Sequence, residues 1–492
     1  MTSRRRPRRS SAREDRARRP SGRPAILLAV AVALVLVASA CSRAPRPSVV
    51  LITIDTLRPD RLGCYGYDRK TSPHIDALAR QSTLFERAYT SLPRTTQSIG
   101  SIMTGRHPRS HGARGLFSSL PAVNRTLAEI LSEAGYETAA VVSNTFLRPG
   151  QGFEQGFDRY DNPERRWDAD SAEEVTAAAS AWLDSRSGGG SFFLWVHYLD
   201  PHWRYEPPPP LDSTFDPDFA GPFTVYSDLD AGRLTKGQVI FEDVVPARQA
   251  EHLKALYDGE IARTDAAVGV LLKRLERVPE SLLLVLTADH GESLGEHAYR
   301  FAHGEFLYES GLRIPLLMRF PGRLPEGARV PALAMNIDIA PTILTLVGVP
   351  GMQGVEGRPL LIPASAGSAR FAPAPGRSLV VAESDFQLIH PENPRYRIPG
   401  PAGRWTAASD GRYKLILIPR PGGEDVEIYD LQEDPGETKD LASSVALSPV
   451  RARLLREVKK FADYGTGPLL PPGEESLSDE DRARLRSLGY VN

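Results

Sequence analysis

An α/β fold, with a large, mostly parallel sheet flanked by helices, is the class this sequence predicts, and three observations predict it. Val49-Val50-Leu51-Ile52-Thr53-Ile54 and Leu282-Leu283-Leu284-Val285-Leu286-Thr287-Ala288 are short, apolar and β-branched, the character of parallel strands buried on both faces. Strand and helix signals alternate along the chain from these runs onward, as crossover connections require. From about residue 366 the texture shifts to a Pro/Gly/Ala-rich connection and short strands, which reads as a smaller α+β subdomain with an antiparallel sheet.

The elements follow in order. Val49–Asp55 is a strand. A helix runs over Pro73–Arg80, with Ser72 as its cap and Pro73 in its first turn. Thr126–Ala134 is a helix stopped by Gly135, Thr138–Val142 a strand, Asp170–Ser185 a helix and Phe192–His197 a strand. Residues 203–245, rich in Pro, Asp and Gly, form an excursion over the site, and with the loop 386–404 they are expected to shape the substrate site. Ala247–Arg277 is a long helix, with Leu253, Leu256, Ile261, Val268 and Leu271 on its apolar face. Leu282–Leu286 is the central strand, and Asn336–Thr342 opens a further helix. Short strands at Ser378–Ala382, Tyr413–Ile418 and Val426–Leu431 belong to the C-terminal subdomain. The expected organisation is a signal segment over 1–41, a main domain over 47–365, and a subdomain with tail over 366–492.

With 492 residues, 41% hydrophobic and 25% charged, the chain can bury a large core. Its net charge of -1 hides an asymmetry: residues 1–23 hold ten Arg against Glu14 and Asp15, so the remainder is acidic. An acidic body argues against nucleic acid as a partner. The basic block precedes the apolar run Ala25–Val37 and the small residues Ala38-Ser39-Ala40 before Cys41, the layout of a secretory signal. It is similar to a bacterial lipoprotein signal, in which Cys41 is the lipidated first residue; an uncleaved signal anchor is the alternative. Both place the body outside the cytoplasm, in a periplasm or on a cell surface, and attach it to a membrane through the N-terminus. Cys64 is the one other cysteine, so a lipidated Cys41 leaves no disulfide. Oligomeric state is not legible.

Each of the two apolar runs ends in a carboxylate, Asp55 and Asp289, the latter followed by His290. Open α/β sheets bind ligands beyond the carboxyl ends of their strands, so these three side chains point into one crevice from distant parts of the chain. Carboxylate oxygens and imidazole nitrogen suit a divalent cation; the imidazole favours Zn²⁺ or Mn²⁺ over Ca²⁺ or Mg²⁺. Between them, Pro93-Arg94-Thr95-Thr96-Gln97-Ser98 followed by Ile99–Thr104 and Gly105 reads as a helix with Thr95 or Thr96 at its N-terminus. Such a terminus either carries a simple cap or offers its backbone N–H groups to an oxyanion.

These segments resemble a family. Ile54-Asp55-Thr56-Leu57-Arg58-Pro59-Asp60-Arg61-Leu62-Gly63-Cys64-Tyr65-Gly66-Tyr67, Thr95 to Met103-Thr104-Gly105, His197-Tyr198-Leu199-Asp200-Pro201-His202 and Ala288-Asp289-His290-Gly291-Glu292 are similar to segments of the sulfatase family, in the alkaline phosphatase superfamily. So are His303–Glu309 with Leu312–Pro315, and Tyr429-Asp430-Leu431 with Asp434-Pro435. The resemblance covers about residues 47–440 and implies a sulfatase-like catalytic domain, with Asp55, Asp289 and His290 as metal ligands. Counting back from Thr104-Gly105, it puts Thr95, as metal-ligated nucleophile, where sulfatases carry the Cys or Ser that becomes formylglycine. It makes His202 a contact to the anionic group, and places His303 near the position of a substrate-binding lysine. A second ion on Asp200, His202, His297 or His303 is a further expectation from the two-metal members.

The departures redirect the chemistry. Sulfatases want Pro two residues and Arg four residues after the nucleophile; here stand Gln97 and Ile99. Thr95 already bears a methyl on its β-carbon and cannot give formylglycine. Thr56 stands where many members have a second aspartate, and Ser143-Asn144 stand for a Lys and a His. The pattern resembles the branches that use threonine directly on phosphodiesters, phosphonates or transferred phosphoryl groups. The expected activity is therefore an exported, metal-dependent hydrolase or transferase acting on phosphate or sulfate esters through Thr95. The alternatives are a sulfatase working without formylglycine and a non-catalytic sulfatase-like binding protein.

Overall fold

In the computed structural model, β1 (Ser48–Ile54) runs through the middle of the main sheet, with every residue buried. The structure describes Thr2 and residues 46–463, apart from 116–117, 163–170, 187–188, 279–280, 385–403 and 421. The signal segment over 1–41 (all but Thr2), the loop over 386–404 expected to shape the substrate site (all but Arg404) and the tail after 463 lie outside the described residues. Among those described, no helix is long and apolar enough to cross a membrane.

The remaining strands of the sheet are β2 (Thr83–Tyr89), β3 (Glu137–Val142), β4 (Arg159–Asp161), β5 (Phe192–Tyr198) and β6 (Leu282–Ala288). Past a short β7–β8 ribbon (Ser293–Leu294 and Arg300–Ala302) come β9 (Arg313–Ile314), β10 (Leu316–Arg319) and β11 (Ala328–Met335). The order is β11-β2-β10-β6-β1-β5-β3-β4, with β9 paired to β2. β1 is parallel to both β5 and β6, whereas β10 is antiparallel to β6 and β2, so the sheet is mostly, not wholly, parallel. The alternating pattern did not reveal β2, β10 or β11. β2 carries Glu86 and Arg87 half-buried in its middle, which masks it as a strand, and the sense of β10 is set by pairing rather than composition.

Register places the site. Thr53 pairs with His197 on one side and Thr287 on the other, and Ile54 with Tyr198 and Ala288. The next residues, Asp55 and Asp289, therefore leave adjacent strands at the same level.

Helices sit close to their expected bounds. Thr126 closes a capping box with Glu129 ahead of Leu127–Glu133, and Gly135 follows at φ 88°, a left-handed turn that glycine adopts at no steric cost. Ser72 precedes Pro73–Ala79 but does not cap it. Its hydroxyl accepts from the Gly63 N–H and donates to Asp76, tying the helix to the Gly63–Tyr65 turn instead. The long helix spans Ala247–Leu275. The excursion is folded, with short helices at Leu211–Thr214, Val225–Asp230 and Lys236–Phe241. Its Trp203, Tyr205 and Tyr226 pack together, and Trp203 stacks on Phe301 at 5.6 Å.

After the hairpin β12–β13 (Leu361–Pro363 and Phe371–Pro373), the C-terminal region forms the expected antiparallel sheet. Its strands are β14 (Val380–Glu383), β15 (Thr406–Ser409), β16 (Tyr413–Arg420) and β17 (Gly423–Asp430). The Ser448–Asp463 helix covers one face through Leu454 and Val458, and the other meets Phe306, Leu307 and Tyr308.

Candidate metal and ester site

Asp55, Asp289 and His290 converge as the register demands: each offers a ligand atom within 4.8 Å of the others, and all three are buried. His290 Nε2 is 3.6 Å from Asp55 Oδ1 and 3.4 Å from Asp289 Oδ2. The turn out of β1 is strained. Thr56 adopts φ 54°, a left-handed conformation rare for a β-branched residue. There its N–H donates to Asp289 Oδ1, and its carbonyl accepts from the Tyr257 hydroxyl at 2.6 Å. The His290 N–H also donates to Asp289 Oδ1, while its Nδ1–H donates to the Gly291 carbonyl at 2.9 Å. That fixes the tautomer and leaves Nε2 as a lone pair facing the two carboxylates.

The donor set fits a cation. Asp55 Oδ1 and Asp289 Oδ2 are buried and have no hydrogen-bond partner. Burial pushes both carboxyls well above their usual range; Glu292 adds to the effect on Asp55, and Asp55 to that on Asp289. Burial, with His303 nearby, holds His290 well below its ordinary value. Two carboxylates this close ionise together only with a positive charge between them.

Thr95 opens the fully buried Thr95–Thr104 helix, which Gly105 ends in a left-handed turn. Its Oγ1 lies 3.3 Å from Asp55 Oδ2 and 3.4 Å from His290 Nε2. The neighbouring hydroxyls serve the fold. Ser98 donates to the Asp289 carbonyl at 2.6 Å, and Ser91 bonds Ser101 at 2.9 Å.

His202 and His303 stand beside this group. The His303 ring is 4.3 Å from that of His290 and 5.2 Å from that of His202. The His202 Nδ1–H donates to the Trp203 carbonyl at 2.6 Å, and burial lowers the pKa of both His202 and His303. Asp200, His202, His297 and His303 do not form a second ligand group among the described residues. The His297 ring instead stacks on Tyr308 at 3.5 Å.

Several site residues escaped the sequence reading. Asn144, seen there only as a replacement, donates to Asp55 Oδ2 at 2.8 Å. His197, held by Thr53 at 2.8 Å, brings Nε2 to 3.7 Å from Asp55, and burial lowers its pKa to about 4. Its position level with Thr53 at a strand tip was the available signal. Arg94 is buried, and its charge bears on His202, His290 and His303. Lys236, from the excursion, donates to the Phe301 carbonyl at 2.9 Å and lies 3.5 Å above the Trp203 ring.

A mostly parallel sheet with two carboxylates and an imidazole at its strand tips, and a hydroxyl at a helix start facing them, suits the class of hydrolases that cleave anionic esters. The chain belongs to the Sulfatase family, whose model matches residues 47–349, and with it to the sulfuric and phosphoric ester hydrolases. It is 25% identical over 395 residues to N-acetylglucosamine-6-O-sulfatase of Bacteroides thetaiotaomicron, covering 64% of this chain and 70% of that one. It is 26% identical over 504 residues to human N-sulphoglucosamine sulphohydrolase, covering 91% and 97%. In fold it is similar to a protein solved with its substrate D-glucosamine-2-N,6-O-disulfate, with TM-score 0.71, 20% identity, and coverage of 87% of this chain and 100% of that one. The phosphonate monoester hydrolase of Agrobacterium radiobacter gives TM-score 0.68 at 20% identity, covering 85% and 96%.

Proposed function

We propose that the protein is an exported, metal-dependent enzyme that cleaves or transfers phosphate or sulfate esters, with Thr95 as nucleophile. The observation that carries the reading is the Thr95 hydroxyl, 3.3 Å from Asp55 and beside two carboxylate oxygens that lack partners. Asp55, Asp289, His290 and Thr95 would hold the divalent ion, Zn²⁺ or Mn²⁺ in preference to Ca²⁺ or Mg²⁺. When bound, it supplies positive charge that acidifies the Thr95 hydroxyl and screens the ester's anionic oxygens. Thr95 attacks the phosphorus or sulfur and gives up its proton, and the bond to the leaving oxygen breaks so that an alcohol departs. Water or an acceptor alcohol then releases the group from Thr95. Asn144 and Thr56 N–H hold the carboxylates in place, and His202 and His303 contact the transferring group and the leaving oxygen.

Phosphodiesters and phosphonate monoesters are the favoured substrates. Thr95 cannot become formylglycine, and Ser143-Asn144 and Ile99 remove cationic groups that sulfatases direct at sulfate. A second reading, sulfate-ester hydrolysis without formylglycine, is favoured by the relatives, which are sulfatases at 25–26% identity. The body is held to a membrane through its N-terminus, outside the cytoplasm. The deciding experiment combines elemental analysis with rates on an aryl phosphodiester, an aryl phosphonate monoester and an aryl sulfate. Diester or phosphonate turnover above sulfate turnover supports the first reading; the reverse order selects the second. An inert, metal-free protein leaves a binding role.

A further inference from the structure

Glu292 is a fully buried carboxylate that the reading above leaves without a task. It follows His290 by two residues, yet it is not part of the metal group. Its Oε1 lies 3.2 Å from His303 Nδ1, and the two side chains are 0% and 5% exposed. The peptide carrying Glu292 is anchored: its carbonyl accepts from Arg58 Nη1 at 3.0 Å, and Arg58 is itself held by Asp60 and Glu296.

The other end of the contact sits on a loop that does not hold its own shape. Within it His297, Ala298 and Phe301 have φ of 55°, 55° and 51°. Non-glycine residues are rare in that region and persist only where the surroundings impose them. The imposing contacts are visible. The Tyr299 hydroxyl donates to the His303 carbonyl at 2.8 Å, and Lys236 donates to the Phe301 carbonyl at 2.9 Å. Gly304 lies against Arg94, so that a Cβ there would stand 2.3 Å from Arg94 Nε. The loop is thus bent so as to bring one side chain, His303, to 4.3 Å from the His290 ring.

His202, His290 and His303 are tied differently. His202 and His290 give Nδ1–H to the carbonyl of the next residue, a local bond that the backbone alone provides. His303 reaches a carboxylate eleven residues away. The two ring nitrogens lie on opposite edges, so a bond at Nδ1 decides where Nε2 looks.

We propose that Glu292 is a positioning residue for ester cleavage: by binding His303 Nδ1 it holds the ring with Nε2 turned to the ester oxygens beside Thr95. The inference rests on the hydrolase reading above, with His303 as the group that touches substrate and Glu292 acting through it; the Glu292 charge also bears on Asp55, His202 and Lys236. It accounts for an imidazole near the position where the family resemblance expects a lysine. A flexible ammonium needs no orienting partner, whereas a planar ring does.

The test is a double-mutant cycle on the full chain loaded with Zn²⁺ or Mn²⁺, using whichever aryl ester the wild type turns over. Glu292→Ala should lower kcat about 10–100-fold, the usual loss for an orienting partner, with KM changed less than threefold and metal content unchanged. Glu292→Gln, which keeps a hydrogen-bonding group of the same shape, should recover part of the loss. In the His303→Ala background Glu292→Ala should cost nothing further, because residues acting as one unit are not additive. A readout independent of turnover is the ¹⁵N spectrum of protein labelled at histidine. The His303 ring signals should show an Nδ1 hydrogen bond in wild type and shift in Glu292→Ala. Equal losses in both backgrounds, loss of metal from Glu292→Ala, or unmoved His303 signals would each overturn the proposal. A wild type inert on every ester, with the ¹⁵N shift present, would sink the hydrolase reading while leaving Glu292 as the residue that fixes His303.

Discussion

Thr95 Oγ1 lies 3.3 Å from Asp55 Oδ2, a contact between residues forty apart that joins the mouth of a helix to the tip of the central strand. Asp55 Oδ2 is also bonded by Asn144, so the carboxylate keeps a partner when the hydroxyl is removed. Arg94, at the N-cap, makes no side-chain cap, and Thr95 is the first helical residue. Thr95→Ala should therefore cost at most about 1 kcal/mol of stability while abolishing turnover, and Thr95→Ser should retain partial activity. Rates and thermal melts check this, and mass spectrometry should find the trapped group on Thr95 and not on Ser98. Normal turnover by Thr95→Ala would remove it from the mechanism.

Removal of a ligand should empty the metal group without unfolding the sheet. Asp289→Ala is expected to drop divalent metal from near one per chain to background by elemental analysis. Chelation of wild type should lower both activity and melting temperature, since an ion bound only by the folded state stabilises it. Equal metal content in wild type and variant would disprove the assignment.

Lys414 is 1% exposed and reaches both Glu309, at 3.0 Å, and Glu437. The Glu309 N–H also donates to Glu437 at 2.6 Å. This triad fastens the C-terminal sheet to the segment after His303, which gives Asp434-Pro435-Gly436-Glu437 a structural task. Lys414→Met leaves the buried Glu437 and the half-buried Glu309 without their shared cation and should cost about 3 kcal/mol in denaturant unfolding, with the metal content of the folded fraction unchanged. A loss under about 1 kcal/mol would mean the triad is not holding the sheet.

Glu383, at the end of β14, is buried against Arg114 and Arg109. Burial alone would raise its pKa, but Arg114, Arg109 and Arg404 together lower it to about 2. An unfolded glutamate titrates near 4.3. The folded value is the lower one, so the stabilisation is complete above about pH 4.5 and disappears as pH falls toward 2, amounting to about 3 kcal/mol. Melting temperatures across that window should fall more steeply for wild type than for Glu383→Gln; parallel curves would show that Glu383 does not drive acid unfolding.

The N-terminal reading has its own test. Cys41→Ala should block lipidation and release the body from membranes in fractionated cells. Retention with the segment uncleaved would favour a signal anchor.

The sequence alone determined the parts of this protein that follow from local chemistry. Apolar β-branched runs must be buried, and a carboxylate at the end of each must sit at a strand tip. Asp55, Asp289 and His290 were therefore legible as a group before any geometry was known. The helix after Arg94 and the antiparallel C-terminal sheet were legible on the same grounds, through the closing Thr104-Gly105 and the change of texture. Thr95 itself was reached only by counting from that closing pair, because Thr96 and Ser98 carry equivalent hydroxyls. Tertiary structure alone decided which hydroxyl faces the carboxylates, with Ser98 turned to the Asp289 carbonyl. It also decided the antiparallel sense of β10, the place of Asn144 on Asp55, and the pairing of Glu292 with His303. Those relations depend on how strands pair and on the path of the bent 295–304 loop. Several distant segments hold that path against its own backbone preference, and a one-dimensional pattern carries no record of which segments meet.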